Sequence, residues 1–259
     1  MFQALWASAR EYNRRLGDEY LMGIWRGDLW GFLWRLGANN TNPPHGYLSS
    51  LRADFNSPDS GTIRALCSWS WMGNHRIKFL NQTGEMCDDF VDFRPECTIS
   101  LSEFNAREND HSKGYDSTIL KFRAKRTKPV SGFYNPELGG FGNEVTVPVR
   151  FPEAKVFCAL DWRNVKEGID DDGIFNFDSL GVMTTFLLLA SAAVKGRSDG
   201  CRATLGLVLM EAENARDYEG KIWYRCGVFV AKPPDGWVGQ QRGGLKIFDE
   251  YDEKTTWVK

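Results

Sequence analysis

Apolar and polar residues follow two different periods along this chain, one near its N-terminus and another over most of the remainder. Within Phe2–Leu16 the apolar positions recur every three or four residues, at Leu5, Ala9, Tyr12 and Leu16. This spacing predicts an amphipathic helix that ends at Gly17. After residue 76 the apolar residues instead come in short runs, several with a period of two, which is the pattern of β-strands.

Two more short helices are predicted before the strand-rich part begins. They cover Glu19–Arg26 and Leu29–Leu36, and Asp18 and Asp28 stand at the positions of their N-caps. Gly27 argues against one continuous helix. We expect these helices to form an annex, residues 1–36, whose tryptophans pack on a β-rich domain of residues 37–259, the two parts together making one structural domain.

The stretch Ser68-Trp69-Ser70-Trp71 alternates strictly. In an extended conformation it places both indoles on one face and both hydroxyls on the other, so it predicts a strand at the centre of the core. Each Trp buries about 150–250 Å², enough to hold a helical layer against a sheet. The residues predicted to form the structural core are Trp25, Trp30, Trp34, Trp69, Trp71, Tyr224 and Val228.

Runs with strand composition recur through the rest of the chain, and turn residues separate them without intervening helices. This arrangement predicts antiparallel pairing. The expected fold is mainly β (α+β), an antiparallel β-sandwich or distorted barrel with a short N-terminal helical annex. The predicted strands are Arg76–Leu80, Thr98–Leu101, Thr118–Ala124, Glu144–Phe151, Lys155–Leu160, Thr184–Leu189, Thr204–Met210, Ile222–Val230, Leu245–Phe248 and Thr255–Val258.

Length, charge and cysteines narrow the functional classes. A chain of 259 residues buries enough surface to need no disulfide or metal staple, and a net charge of −2 provides no general attraction to nucleic acid or anionic membrane. No window approaches about 18 apolar residues, so no membrane span is predicted. The six cysteines form no CxxC pair and Arg10, Glu11, Arg14 and Arg15 interrupt any signal sequence. We therefore expect a cytoplasmic protein with reduced thiols.

The sequence offers no candidate catalytic, cofactor-binding or metal-binding residue. The acidic stretch 170–178 lacks both end ligands of a calcium loop, and the basic run 123–128 has no interleaved aromatic residue. These patterns favour a protein that is not an enzyme. Two alternatives stay open: a hydrolase or small-ligand enzyme in which a Cys or His meets Asp161 or Asp178, and a β-sandwich that binds glycan or peptide through exposed tryptophans.

Several segments resemble the region that follows the heterokaryon-incompatibility (HET) domain in many filamentous-fungal proteins. Glu19–Trp34, EYLMGIWRGDLWGFLW, is similar to the family segment "YLAGLW…DL…LLW", and Ala65–Gly73, ALCSWSWMG, to "APSWSWAS". Ala4–Ala9 lies where the family has its "PALSGLA" helix. Trp223–Phe229, WYRCGVF, looks like "YRRIGVF", and Lys254–Val258, KTTWV, like the closing "RTITLV".

The resemblance keeps the family's order and spans nearly the whole chain, but the "SYxWG"-type motif of the HET domain has no counterpart here. It implies a non-catalytic accessory or interaction module linked to fungal nonself recognition and programmed cell death after incompatible fusion. The implied partner is a protein, a HET domain in cis or in trans. From the net charge and the lack of a long apolar window we expect neither a nucleic-acid nor a membrane partner, and the resemblance transfers no catalytic residue and no cofactor.

Overall fold

Strands dominate the computed structural model, which confirms a mainly β protein with little helix. The structure describes residues 11–12, 14–18, 20–21, 24–36, 77–79, 90–101, 119–128, 146–151, 154–160, 184–196, 202–217, 220–232 and 243–258. The predicted central strand with Trp69 and Trp71 lies outside these residues.

Thirteen strands and two 3₁₀ segments are described, and most belong to one sheet. The strands are β1 Tyr20–Leu21, β2 Ile24–Trp25, β3 Trp34–Leu36, β4 Ile77–Phe79, β5 Phe90–Pro95, β6 Cys97–Leu101, β7 Leu120–Lys125, β8 Thr146–Phe151, β9 Ala154–Leu160, β10 Thr184–Val194, β11 Arg202–Asp217, β12 Gly220–Lys232 and β13 Glu253–Val258. The 3₁₀ segments are η1 Leu29–Phe32 and η2 Gly243–Phe248.

The main sheet runs in the order β5-β10-β11-β12-β13-β7-β6, and β9 with β8 branches from β12. The branch arises because β12 is long enough for two partners on one edge: Ile222 and Trp223 pair with β13, whereas Gly227–Lys232 pairs with β9. The β12–β13 pair is parallel and the other described pairs are antiparallel. The sheet is therefore mixed, and it is not closed into a barrel.

Consecutive strands β5 and β6 are the two ends of this strand order. The chain passes from one to the other through Glu96, whose amide donates to the carbonyl of Leu189 in β10 at 2.9 Å. Before Glu96 the chain pairs with β10, and after it the chain pairs with β7. Residues 90–101 thus cross from one part of the sheet to the other, as strands at the corners of curved sheets do.

The end of β7 also reaches β10, through a short buried seam. Arg126 forms an isolated bridge with Leu187. Thr127 Oγ1 accepts from the amide of Phe186 at 3.0 Å, and Thr185 Oγ1 donates to the carbonyl of Thr127 at 2.6 Å. These bonds satisfy backbone groups in the interior and join β7 to β10, the strands next to the two ends of the strand order.

Both faces of the central strands are buried. Leu187 and Leu189 of β10 belong to an apolar cluster with β7, β11, β12 and η1, while Phe186 lies against Phe229 with ring centroids 4.8 Å apart. Gly206 is required where β10 and β11 meet, because a Cβ there would lie 1.9 Å from the carbonyl oxygen of Leu187. The continuous apolar sequence of β10 reflects this two-sided burial.

The predicted helix over Glu19–Arg26 is wrong, because these residues contribute β1 and β2, an antiparallel pair in which Tyr20 lies opposite Trp25. Their rings meet edge to face at 5.1 Å. Asp18 does not cap a helix there; its carboxylate accepts from the amide of Gly27 at 3.1 Å and so fastens the two ends of the ribbon. Pairing between two short strands that are adjacent in sequence has overridden helical spacing.

Two other predicted elements differ from the structure, whereas the described part of the predicted first helix is helical. The predicted helix Leu29–Leu36 is the 3₁₀ segment η1 followed by β3, although Asp28 does cap it by accepting from the amide of Trp30. The predicted strand Leu245–Phe248 lies in η2. Every other predicted run overlaps an observed strand, and residues 11–12 and 14–16 are helical within the predicted first helix.

Candidate interaction site

Strand β5 exposes apolar side chains at one end of the sheet. After buried Phe90, all residues from Val91 to Pro95 are exposed, and Val91 and Phe93 retain 40 % and 36 % of their accessible surface. No strand within the described residues pairs with the second edge of β5. Edge strands with free backbone groups and apolar side chains are templates for pairing with another chain.

Aromatic rings from η1 and from β5 itself pack against the side chain of Phe93. Trp30 of η1 meets Phe93 edge to face at 4.4 Å, and Phe90 approaches Phe93 at 6.4 Å. The ammonium of Lys232 lies 5.1 Å from the centre of the Phe90 ring. Trp30, Val91 and Phe93, called here the β5 surface, therefore form a half-exposed apolar area on a packed base.

A β-bulge shapes the strand at Asp92. Val91 pairs with Ala193 and Arg94 with Ser191, so Asp92 and Phe93 together face the single residue Ala192. Asp92 has φ of 52°, in the left-handed region that aspartate tolerates better than most residues. A bulge of this kind bends a strand and increases its twist, which redirects the side chains next to it.

A hydrogen-bonded clamp from β11 holds the bulge in place. Arg202 donates to Asp92 Oδ2 at 2.9 Å and to the carbonyl of Asp92 at 2.5 Å, and Arg94 reaches Asp92 Oδ2 at 2.7 Å. Arg202 also donates to the hydroxyl and the carbonyl of Ser191, and that buried hydroxyl donates to Glu96 Oε1. The bonds from Arg202, and then from Arg94, hold the pKa of Asp92 below its ordinary value.

A second polar cluster lies between the end of β7 and strands β11 and β12. The guanidinium of Arg126 stacks 4.3 Å from the ring centre of Trp223, and Glu211, directly opposite Trp223, binds Lys221 at 2.5 Å. Burial lowers the pKa of Arg126, and the charge of Glu211 opposes this shift. The cation–π contact between Arg126 and Trp223 links the residue that follows β7 to strand β12.

Three cysteines are described, of which Cys158 and Cys226 are buried and Cys97 is half-buried. Burial raises the pKa of Cys97 to about 12, with a further contribution from Glu96, and burial raises the pKa of Cys158 as well. The thiol of Cys226 donates to the carbonyl of Val208 at 3.3 Å. Thiolates are the reactive form of cysteine, so these three groups suit packing and do not suit nucleophilic catalysis.

The residues predicted for the core occupy several environments. Tyr224 and Val228 of β12 are buried, Trp25 and Trp30 are half-buried, and Trp34 lies in β3. The ring of Trp25 contacts Tyr20, and the ring of Trp30 contacts Phe93.

Other predicted features fall outside the part of the chain that the structure describes. These include the acidic stretch 170–178 and the partners considered for an enzyme, which are Asp161, Asp178, His45, His75 and His111. The basic run is partly described: Arg123 binds Glu253 at 3.2 Å, and Lys125 donates to the carbonyl of Phe248. Each of these two basic side chains therefore has a partner within the protein.

Sequence reasoning missed strand β5 and its clamp altogether. Alternation in Phe90–Pro95 is a weak signal, because a bulge interrupts it and both faces beyond Phe90 are exposed. The neighbouring Asp92 and Arg94 were the available sign of a charged edge strand, whereas Arg202 lies 110 residues away in sequence.

Within the described ranges no group of three or more His, Cys, Asp or Glu residues stands close enough together to hold a metal ion. Among the same residues no helix has the length and apolar character of a membrane span. No known protein family, curated protein or solved structure matches the chain.

Proposed function

We propose that this chain is a non-catalytic accessory and interaction module of a HET-type protein, acting in the cytoplasm of a filamentous fungus. In this proposal it serves a HET domain, in cis or in trans, during nonself recognition and the cell death that follows incompatible fusion. The ordered set of segments that resemble the post-HET region supports the biological context.

The observation that carries the interaction role is the β5 surface. An exposed strand with apolar Val91 and Phe93 is held rigidly by Arg202, so a partner would bind it without first ordering it. Preorganisation of this kind lowers the entropic cost of association. The raised pKa values of Cys97 and Cys158, which keep both thiols protonated, agree with a module that presents a surface and carries out no thiol chemistry.

The proposal is tested by expressing residues 1–259 in a fungal host with and without a HET domain. We expect no cell death from the chain alone and a change in the HET-dependent death when both are present. Phe93→Glu, which puts a charge on the β5 surface, should reduce that change. Thr255→Glu, at an exposed position of β13 and four strands away in the sheet order, serves as the matched control.

Two results would contradict this proposal. Death caused by residues 1–259 alone would show that the chain is itself an effector. An unaltered HET-dependent response in the presence of the folded chain would remove the accessory role. The amount of soluble chain must be equal in all strains, because a destabilised variant would otherwise imitate a loss of interaction.

A further inference from the structure

We infer that the β5 surface binds a second copy of this chain, by antiparallel pairing of the two β5 strands about a two-fold axis at Phe93. This inference rests on the proposed interaction role of the β5 surface and adds a second copy of the chain to the partners of that surface. It begins from the position of β5 at one end of the strand order, where its second edge has no strand among the described residues. An added strand satisfies such an edge with main-chain hydrogen bonds.

The order of charges along β5 is complementary to its own reverse. Asp92 and Arg94 stand on either side of Phe93. Antiparallel pairing centred on Phe93 sets each Asp92 opposite Arg94 of the second copy, and sets the two Phe93 residues opposite each other. A two-fold interface requires this kind of self-complementarity, because the same patch is used twice.

Neighbouring registers lack this match. Pairing centred on Asp92 would place the two carboxylates opposite each other, and pairing centred on Arg94 would do the same with the two guanidinium groups. Like charges directly opposite destabilise a strand pair, whereas opposite charges and aromatic pairs stabilise it. Of the three registers centred on these residues, the one at Phe93 is therefore selected.

The surroundings of Phe93 extend the contact beyond the backbone. Trp30 stands against Phe93 at 4.4 Å, so pairing brings together two aromatic pairs related by the two-fold axis. Arg202 fixes the backbone of Asp92 through its carbonyl at 2.5 Å, which keeps the strand in one conformation before association. Aromatic groups that combine rigid contact area with low entropy loss are frequent at the centres of interfaces.

Edge strands also use charges and bulges to prevent association, and β5 has both. Protection alone does not require two large apolar side chains to stay exposed in the same strand, as Val91 and Phe93 do. The bulge at Asp92 limits the paired length. We therefore expect a small interface and a dissociation constant on the order of 10–100 µM, as small interfaces give weak, transient complexes.

The decisive experiment uses opposite charges at the two-fold axis, in sedimentation velocity on the full chain across this concentration range. Phe93→Glu and Phe93→Lys each place like charges face to face, and each should weaken self-association by about tenfold or more. An equimolar mixture of the two variants should associate again, within about threefold of the unsubstituted chain. Thr255→Glu, Thr255→Lys and their mixture should behave like the unsubstituted chain.

Three outcomes would overturn the inference: a chain that stays monomeric over the whole range, a Phe93→Glu variant that associates normally, or a mixture that fails to associate although both variants are folded. The third would indicate a different partner strand, because only self-pairing at this residue places the two substituted positions opposite each other. Thermal unfolding of each variant establishes that it is folded.

If the charged variants do not fold, Phe93→Cys replaces them. Cα atoms of opposed residues in antiparallel strands lie about 4.5–5.5 Å apart, within the range for a disulfide. With diamide as oxidant, this variant should form a cross-linked dimer on a non-reducing gel, beyond any seen for the unsubstituted chain or Thr255→Cys. No added cross-link would overturn the inference.

The inference and the proposed function fail separately. A chain that pairs through Phe93 but leaves HET-dependent death unchanged keeps the inference and contradicts the function. A monomeric chain that alters HET-dependent death through Phe93 keeps the function and overturns the inference.

Discussion

Strands β10 and β5 are neighbours in one sheet, yet different kinds of contact hold them in place. The first nine residues of β10 are buried, on both faces of the sheet, whereas β5 is exposed from its second residue onward. Apolar packing positions β10, whereas β5 beyond Phe90 depends on its pairing with β10 and on hydrogen bonds from Arg202. Disturbing the centre should therefore unfold the protein, while disturbing the clamp should release one edge.

The largest effect is expected from Gly206→Ala at the contact of β10 with β11. The new Cβ would lie 1.9 Å from the carbonyl oxygen of Leu187 and 2.7 Å from Phe229 Cε1, so backbone must move. We expect a loss of about 3 kcal/mol in the free energy of unfolding, measured in urea. Gly196→Ala is the control, since Gly196 has φ of 74° with open space around it, and should cost only about 1 kcal/mol. Equal losses would refute the close-approach explanation.

The next effect comes from the seam between β7 and β10. Thr127→Val removes the oxygen that accepts from the buried amide of Phe186, and with it a hydrogen bond across the seam. A loss of about 1–3 kcal/mol in the free energy of unfolding is expected. Thr184→Val offers a matched control. The Thr184 hydroxyl is buried and forms no hydrogen bond with any described group. That substitution should leave stability unchanged or slightly higher; a loss equal to that of Thr127→Val would count against the seam.

A smaller and local effect is expected from Arg202→Ala. The substitution removes the clamp on Asp92 and two hydrogen bonds to buried Ser191, so amide hydrogens of β5 should exchange faster while those of β12 keep most of their protection. Hydrogen exchange resolved by residue measures the protection of the amide hydrogens in β5 and in β12. Arg202→Lys retains the charge without the planar fork and should give an intermediate result. Uniform loss of protection across the sheet would mean that β5 is not a separate unit.

The smallest effect is a pH dependence of the same edge. Because Arg202 and Arg94 hold the pKa of Asp92 below its ordinary value near 3.8, the clamp is fully formed above that pH. Its contribution to stability is lost as the pH falls through the lowered pKa of the folded state. Exchange in β5 should therefore accelerate below about pH 4, and Asp92→Asn should remove this acceleration.

Glu11 requires its own control in that experiment. Arg14 and Arg15 lower the pKa of Glu11, so its ion pairs weaken over a similar acid range with the same sign. Glu11→Gln should leave the acid-dependent exchange of β5 unchanged. If it removes the effect, the clamp at Asp92 is not its source.

Where one face of a strand is buried, the sequence was a good guide. In β7, Leu120, Phe122 and Ala124 are buried and alternate with Lys121 and Arg123, as the period of two predicts. The N-terminal residues show the converse. Apolar spacing compatible with a helix became the β1–β2 ribbon, because the partner of Trp25 is Tyr20 across a strand pair and not a residue one turn away.

The amino-acid sequence by itself determined the mainly β class and the location of most strands, because burial of one face imposes a local, readable alternation. Only the tertiary structure decided which strand lies at the exposed end, how β12 divides its edge between β9 and β13, and that Arg202 reaches Asp92 across 110 residues. Those contacts depend on strand order, which brings distant residues together and leaves no periodic trace in the sequence.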